Sequence, residues 1–178
     1  MKGLFRGFFC AVVLMCGLLC VACSGASVSK PNLSNLLNDV ETYQIDEFSI
    51  EMQSGLKAVE DIDKKRVDVE YRSKDMLFAQ RKDEKTSEIQ QISLVGYTLA
   101  CLNGVKTDKD MMSAIIVTDD CVYASYTVDI NNTKNFYMVF TYESSNYFYC
   151  VNFVCTYKNK DIYEPAFKTW AQAVVINE

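Results

Sequence analysis

Histidine is absent from all 178 residues. Its absence removes the commonest general base, the Ser-His-Asp and Cys-His arrangements, and the commonest zinc ligand. Proline occurs twice and glycine seven times, too few for a disordered linker or a low-complexity chain. No internal repeat is present. Basic residues are outnumbered, 18 Lys and Arg against 23 Asp and Glu, so phosphate backbones repel the chain and no nucleic-acid partner is expected. Acid is missing altogether from the first 22 residues, where Lys2 and Arg6 are the only charges.

What stands there instead is one apolar run, residues 8–22. A basic start followed by such a run is the layout of a secretory signal peptide, and the run falls short of the roughly 20 residues a membrane span needs. Its brevity and the polar stretch after it favour cleavage over an uncleaved signal anchor. Cys20-Val21-Ala22-Cys23-Ser24-Gly25 then resembles a lipobox, of the relaxed kind known in spirochaetes. The small Ala22 lets the peptidase cut, and the Cys23 thiol accepts the lipid. Cys16 and Cys20 follow the bulky Met15 and Leu19; with Cys10 they read as apolar filler. The resemblance implies a membrane partner reached through two or three acyl chains on Cys23, enough for firm anchoring where one is marginal. Ser24, in place of a retaining aspartate, favours the outer over the inner membrane within the cell envelope. Cleavage would remove Lys2 and Arg6 and no acid, moving the formal charge from −5 to −7.

The remainder suits one α+β domain. Residues 23–45 read as the lipidated N-terminus and a tether, with a weak helical patch at Leu33, Leu36 and Leu37. The domain proper is expected over residues 46–178. Residues 48–52 and 66–71 alternate apolar with polar, as half-buried strands do. Ser54-Gly55 marks a turn, and 76–79 is a short apolar strand before a charged loop, 81–85. Ile89, Ile92, Leu94, Val95, Leu99 and Leu102 are compatible with a helix from about 86 to 102. Four strand-like runs follow at 113–118, 121–129, 135–142 and 147–157, with short links that join antiparallel neighbours in a meander. A closing helix is expected from 161 to 176, its stripe running through Ile162, Ala166, Trp170 and Val174 with Pro165 in its first turn. Trp170 sits mid-stripe and is expected to be buried.

The run "FSIEMQSGLK", the mid-chain helix, the meander and the closing "YEPAFKTWAQAVVI" together resemble the PsbP/DcrB-like group over about residues 45–177. That resemblance implies a central antiparallel sheet flanked by helices. It also implies a non-enzymatic habit of binding other proteins, since the group includes photosystem II extrinsic subunits, a nuclear-transport factor that binds a small GTPase, and envelope lipoproteins. Fold alone does not carry function.

No catalytic or metal-binding residue and no cofactor is expected. Asp61/Asp63 and Asp119/Asp120 lack the glycine and terminal glutamate of a calcium loop, and read as solvated turns. Asn131-Asn132-Thr133 matches a glycosylation sequon and reads as a turn. Cys101, Cys121, Cys150 and Cys155 form no C-x-x-C pair. Cys150 and Cys155 stand about 16 Å apart on one strand, and Cys121 two strands away at about 9.5 Å, beyond the roughly 7 Å a disulfide tolerates. At most one disulfide is therefore expected, involving Cys101. The aromatic density between Tyr123 and Tyr157 allows two readings: a sheet covered on both faces, or an aromatic-lined cleft. The expected function is accordingly a protein-interaction or assembly module with a protein partner, not an enzyme. The alternative is a carrier of a lipid or small apolar ligand, and a hydrolase ranks third.

Overall fold

Alternation of apolar and polar residues builds most of the domain. The computed structural model describes residues 31–177 apart from 88, 104 and 106–111. Residues 1–22 and Cys23 therefore lie outside the described residues.

Asn32 caps a short helix, α1 (Leu33–Asn38), by accepting the Ser34 N–H. The chain turns straight into β1 (Val40–Ile45) and β2 (Phe48–Gln53), a hairpin whose loop is Asp46-Glu47, with Asp46 at φ +51. Gly55 takes φ +73 in the turn that leads to β3 (Lys57–Ala58), a backbone region glycine enters without steric cost. There follow β4 (Val69–Arg72), β5 (Met76–Glu84), α2 (Leu94–Leu102), β6 (Ile116–Val117), β7 (Val122–Ile130), β8 (Thr133–Glu143) and β9 (Tyr147–Thr156). A 3₁₀ turn at Tyr157–Asn159 leads into α3 (Lys160–Gln172), and β10 (Val175–Ile176) ends the fold.

The strands form two antiparallel sheets. The smaller has the order β1-β2-β10, and the larger β3-β4-β5-β9-β8-β7-β6. The sequential β6-β7-β8-β9 run is the expected meander, and β5 then closes on its far side by pairing with β9. Chain order puts β9 last in the large sheet, yet it lies in the middle. That position explains its composition: Phe148, Tyr149, Val151, Phe153 and Cys155 are fully buried, because both faces of the strand are covered.

One face packs under α3 and the small sheet. There Phe153 meets Phe167 of α3 at 4.9 Å, Phe78 at 5.4 Å and Trp170 at 6.0 Å between ring centres. Each such pair adds about 0.5–1.5 kcal/mol beyond its buried area. The other face packs under α2, where Tyr97 and Leu102 cover Leu77, Ala79, Val139, Phe148 and Cys150. The domain is thus α+β, a central antiparallel sheet with helices on both faces and a second small sheet beside α3.

Several expected boundaries move. The tether was expected to reach residue 45, but residues 33–45 form α1 and β1, with Leu36, Tyr43 and Ile45 buried in the core. The charged 81–85 loop is mostly strand, because β5 runs on to Glu84 beside Tyr147 of β9. The helix expected from 86 begins only at Leu94, where Ser93 accepts the Gly96 N–H. The run 113–118 keeps only two strand residues, and the run 66–71 is strand only from Val69, with β4 extending past it to Arg72. The closing helix stops at Gln172, since the open edge of β2 takes up Val175 and Ile176 as β10.

Candidate functional site

Charge buried inside a fold marks either a site or a structural tie. The described residues place two partly buried charge clusters on the charged half of β5, one on each face. Side chains alternate along the strand, so Arg81 and Asp83 point toward α2 while Lys82 points toward the small sheet.

On the α2 face, Asp83 Oδ1 accepts the Arg81 Nε–H at 2.8 Å, and Arg81 Nη2 reaches the same oxygen. Asp83 Oδ2 accepts the Tyr97 hydroxyl at 2.6 Å. Burial works against the charge on Arg81, but Asp83 outweighs it and the guanidinium pKa rises. Burial, with Cys101, Cys150 and Asp83 alongside, pushes the Tyr97 phenol well above its ordinary value. Tyr97 is therefore a permanent hydrogen-bond donor to Asp83. Next to it, Thr98 Oγ1 lies 2.6 Å from Thr141 Oγ1, which donates to the Val122 carbonyl at 3.1 Å. Farther along, Asn152 Nδ2 lies 3.7 Å from Cys150 Sγ.

On the opposite face, Lys82 Nζ lies 3.0 Å from Glu47 Oε1, and the Tyr149 hydroxyl donates to the same oxygen at 2.6 Å. The Tyr149 bond holds the Glu47 carboxyl below the usual range, against burial and with help from Lys82. Lys82 also rests over the Tyr147 ring at 4.5 Å. Glu70, 4% exposed, is paired with Arg72 of its own strand.

Chemically these are ties. Both Asp83 oxygens are engaged, and Glu47 is shared by a tyrosine and a lysine. One cluster fastens α2 to the large sheet; the other fastens the β1–β2 turn to β5 and β9. Among the described residues no three His, Cys, Asp or Glu side chains are placed to hold a metal ion.

The residues singled out from the sequence are scattered. Asp63 is a turn residue: it pairs with Arg66 at 3.1 Å and accepts the Lys65 N–H. Asp119 and Asp120 are exposed at the turn before Cys121. The aromatic residues of β9 divide between the two cores, which is the covered-sheet reading and leaves no row of rings open as a cleft. At the strand ends, Tyr147 lies under Lys82, and the exposed Tyr157 lies under Lys134 at 4.3 Å. Cys101, Cys121, Cys150 and Cys155 are all unbridged. Sequence reading missed Glu47, Asp83 and Tyr97. The available signal was the alternating sign in 81–85, which gives Arg81 and Asp83 one face to share.

No protein family matches the sequence, and no curated protein does. Among solved structures, the chain is similar to the solution structure of cyanobacterial PsbP (CyanoP) from Synechocystis sp. PCC 6803. That alignment has a TM-score of 0.49 and 12% identity, and spans 88% of this chain and 98% of CyanoP. It is also similar to a crystal structure from Bacteroides thetaiotaomicron, at TM-score 0.48 and 12% identity, over 74% of this chain and 46% of the other. Neither likeness bears on what this chain binds. No helix among the described residues is long and apolar enough to cross a membrane.

Proposed function

We propose that this chain is a cell-envelope lipoprotein, anchored through Cys23 to the outer membrane, whose domain is a non-enzymatic module that binds another protein. The Ala22-Cys23 junction behind the apolar run 8–22 carries the reading. Support also comes from the distance to the fold. Only nine residues separate Cys23 from the Leu33 start of α1, which span at most about 35 Å when extended. A lipid on Cys23 would hold the domain close above the bilayer, where partners are other envelope components. The engagement of Asp83, Glu47 and Glu70 within the fold favours a binding role over catalysis. The β2 and α3 segments, which carry the PsbP/DcrB-like pattern, are consistent with it.

The anchor is tested by feeding cells a labelled fatty acid. Wild type should carry the label in the membrane fraction, and Cys23→Ala should lose both label and sedimentation. Label retained on Cys23→Ala would overturn the assignment. Crosslinking in the intact envelope tests the partner: a reproducible protein adduct supports the module. A small apolar molecule in the native mass spectrum of the isolated protein, with no adduct, would replace it by a carrier.

A further inference from the structure

We propose that Cys101 and Cys150 are a redox pair whose disulfide locks α2 onto the central strand of the large sheet. Three contacts set the helix over the sheet in a single register. Tyr97 stacks on Phe148, ring centres 4.6 Å apart and planes within 13°. Thr98 meets Thr141, the β8 residue directly opposite Cys150. One turn past Tyr97, Cys101 packs in the same core as Cys150 and lies near enough to act on its thiol. The spacing explains the third contact from the first: four helical residues advance about 6 Å and two strand residues about 6.8 Å. The Tyr97–Phe148 pair is therefore followed by the Cys101–Cys150 pair.

The remaining described thiols lack such a neighbour. Cys121 and Cys155 belong to the core on the opposite face of the sheet, under α3 and the small sheet. Exposure also separates the roles, since Cys101 is partly exposed and Cys150 is buried. Cys101 is the thiol an incoming disulfide meets first. Its thiolate attacks one sulfur of the donor disulfide, forming a mixed disulfide and releasing one donor thiol. Cys150 then gives up its proton and displaces the second donor thiol from Cys101. Two protein thiols and one donor disulfide become one protein disulfide and two donor thiols. The proximity of Cys101 and burial raise the Cys150 thiol well above its ordinary value, which works against the thiolate that the second step needs. Asn152, which reaches the Cys150 sulfur, can donate to the thiolate as it forms. Bonding closes a long loop, from α2 through β6, β7 and β8 to β9, and such closure stabilises most when the loop is long.

The pairing rests on the placement of α2 over β8 and β9, while its oxidation in the cell rests on the export proposed above. The full-length chain is equilibrated with mixtures of reduced and oxidised glutathione, quenched in acid, alkylated and mapped by mass spectrometry. Expected is one crosslinked peptide joining Cys101 to Cys150, with Cys121 and Cys155 alkylated. The oxidised form should melt about 10 °C higher than the reduced one. Cys101→Ser should abolish both crosslink and shift. Cys150→Ser should trap glutathione on Cys101. Alkylation of both Cys101 and Cys150 at every ratio, or a crosslink of either to a different cysteine, would overturn the pair. Acid-trapping from whole cells separates the two ideas: a pair that bonds in glutathione but is reduced in cells counts against export and leaves the pair standing.

Discussion

Tyr149 donates its hydroxyl to Glu47 Oε1 at 2.6 Å, across 102 positions of sequence. The bond joins the turn of the β1–β2 hairpin to the central strand of the large sheet. Tyr149→Phe keeps the ring in the core and removes only this donor, and should cost about 1–2 kcal/mol in a denaturant titration. The pH dependence follows from the lowered Glu47 pKa. A depressed folded value contributes stability that is complete above the ordinary glutamate pKa of about 4.3 and lost as pH falls through the lower folded value. The advantage of wild type over Glu47→Gln should therefore hold at pH 7 and vanish in acid. An advantage that persists once Glu47 is protonated in the folded protein would show that Glu47 acts by packing rather than by charge.

Asp83 should matter to α2 more than to the sheet. Asp83→Asn leaves the Arg81 guanidinium without its charge partner, and Tyr97 with a weaker acceptor. Breaking a fully buried pair costs about 3–5 kcal/mol, and Arg81 keeps enough solvent contact to put the expected loss nearer 2 kcal/mol. Hydrogen exchange gives the location. Amides of α2 should lose protection first, ahead of β8 and β9.

Trp170 is 2% exposed and stands 6.0 Å from Phe153. Its emission should be blue-shifted in the folded protein and move red on unfolding. Trp170→Ala should cost about 3–5 kcal/mol. Trp170→Phe should cost markedly less, because the indole Nε1 is buried with no acceptor among the described residues. Equal losses from the two variants would mean that this nitrogen is satisfied.

Asn131 and Asn132 both sit at positive φ, 49° and 62°, in a two-residue loop between the paired Ile130 and Thr133. That is the geometry of a type I′ turn, for which Asn-Gly is the favoured pair. Asn132→Gly should raise stability by about half a kcal/mol, and Asn132→Val should lower it by about 1–2 kcal/mol. Thermal melts of the two variants give the sign directly.

Local pattern made part of this architecture readable. Strands β7, β8 and β9 carry apolar residues on both faces and end at Asn-, Asp- and Ser-rich turns, so their places follow from the sequence alone, although β8 begins two residues earlier and ends one later than expected. The same holds for the stripe of α3 as far as Gln172. Elements whose cause lies elsewhere in the chain were not readable. In β1 only Tyr43 and Ile45 turn inward, too few for an alternation to stand out. Val175 and Ile176 fit the stripe of α3 as well as they fit a strand, and the open edge of β2 decides between them. The charged half of β5 looks like a loop until Glu47, 35 positions before Lys82, supplies its partner. The α2 cluster was hidden in the same way, because nothing local ties Asp83 to Tyr97.

The last strand also dictates when this protein can become itself. β10 borders β2, so Ser49 is next to Val175 although 126 positions separate them. The small sheet stays two-stranded until Val175 and Ile176 are available, and contacts so remote in sequence form late and slowly. A chain emerging N-terminus first would carry a hairpin whose β2 edge stays unpaired until residues 175 and 176 arrive. If it crosses a membrane in that direction, the fold cannot close before β10 arrives. The delay keeps the chain threadable in transit, and leaves it open to proteolysis and to wrong strand partners until the final two-residue strand seals the edge.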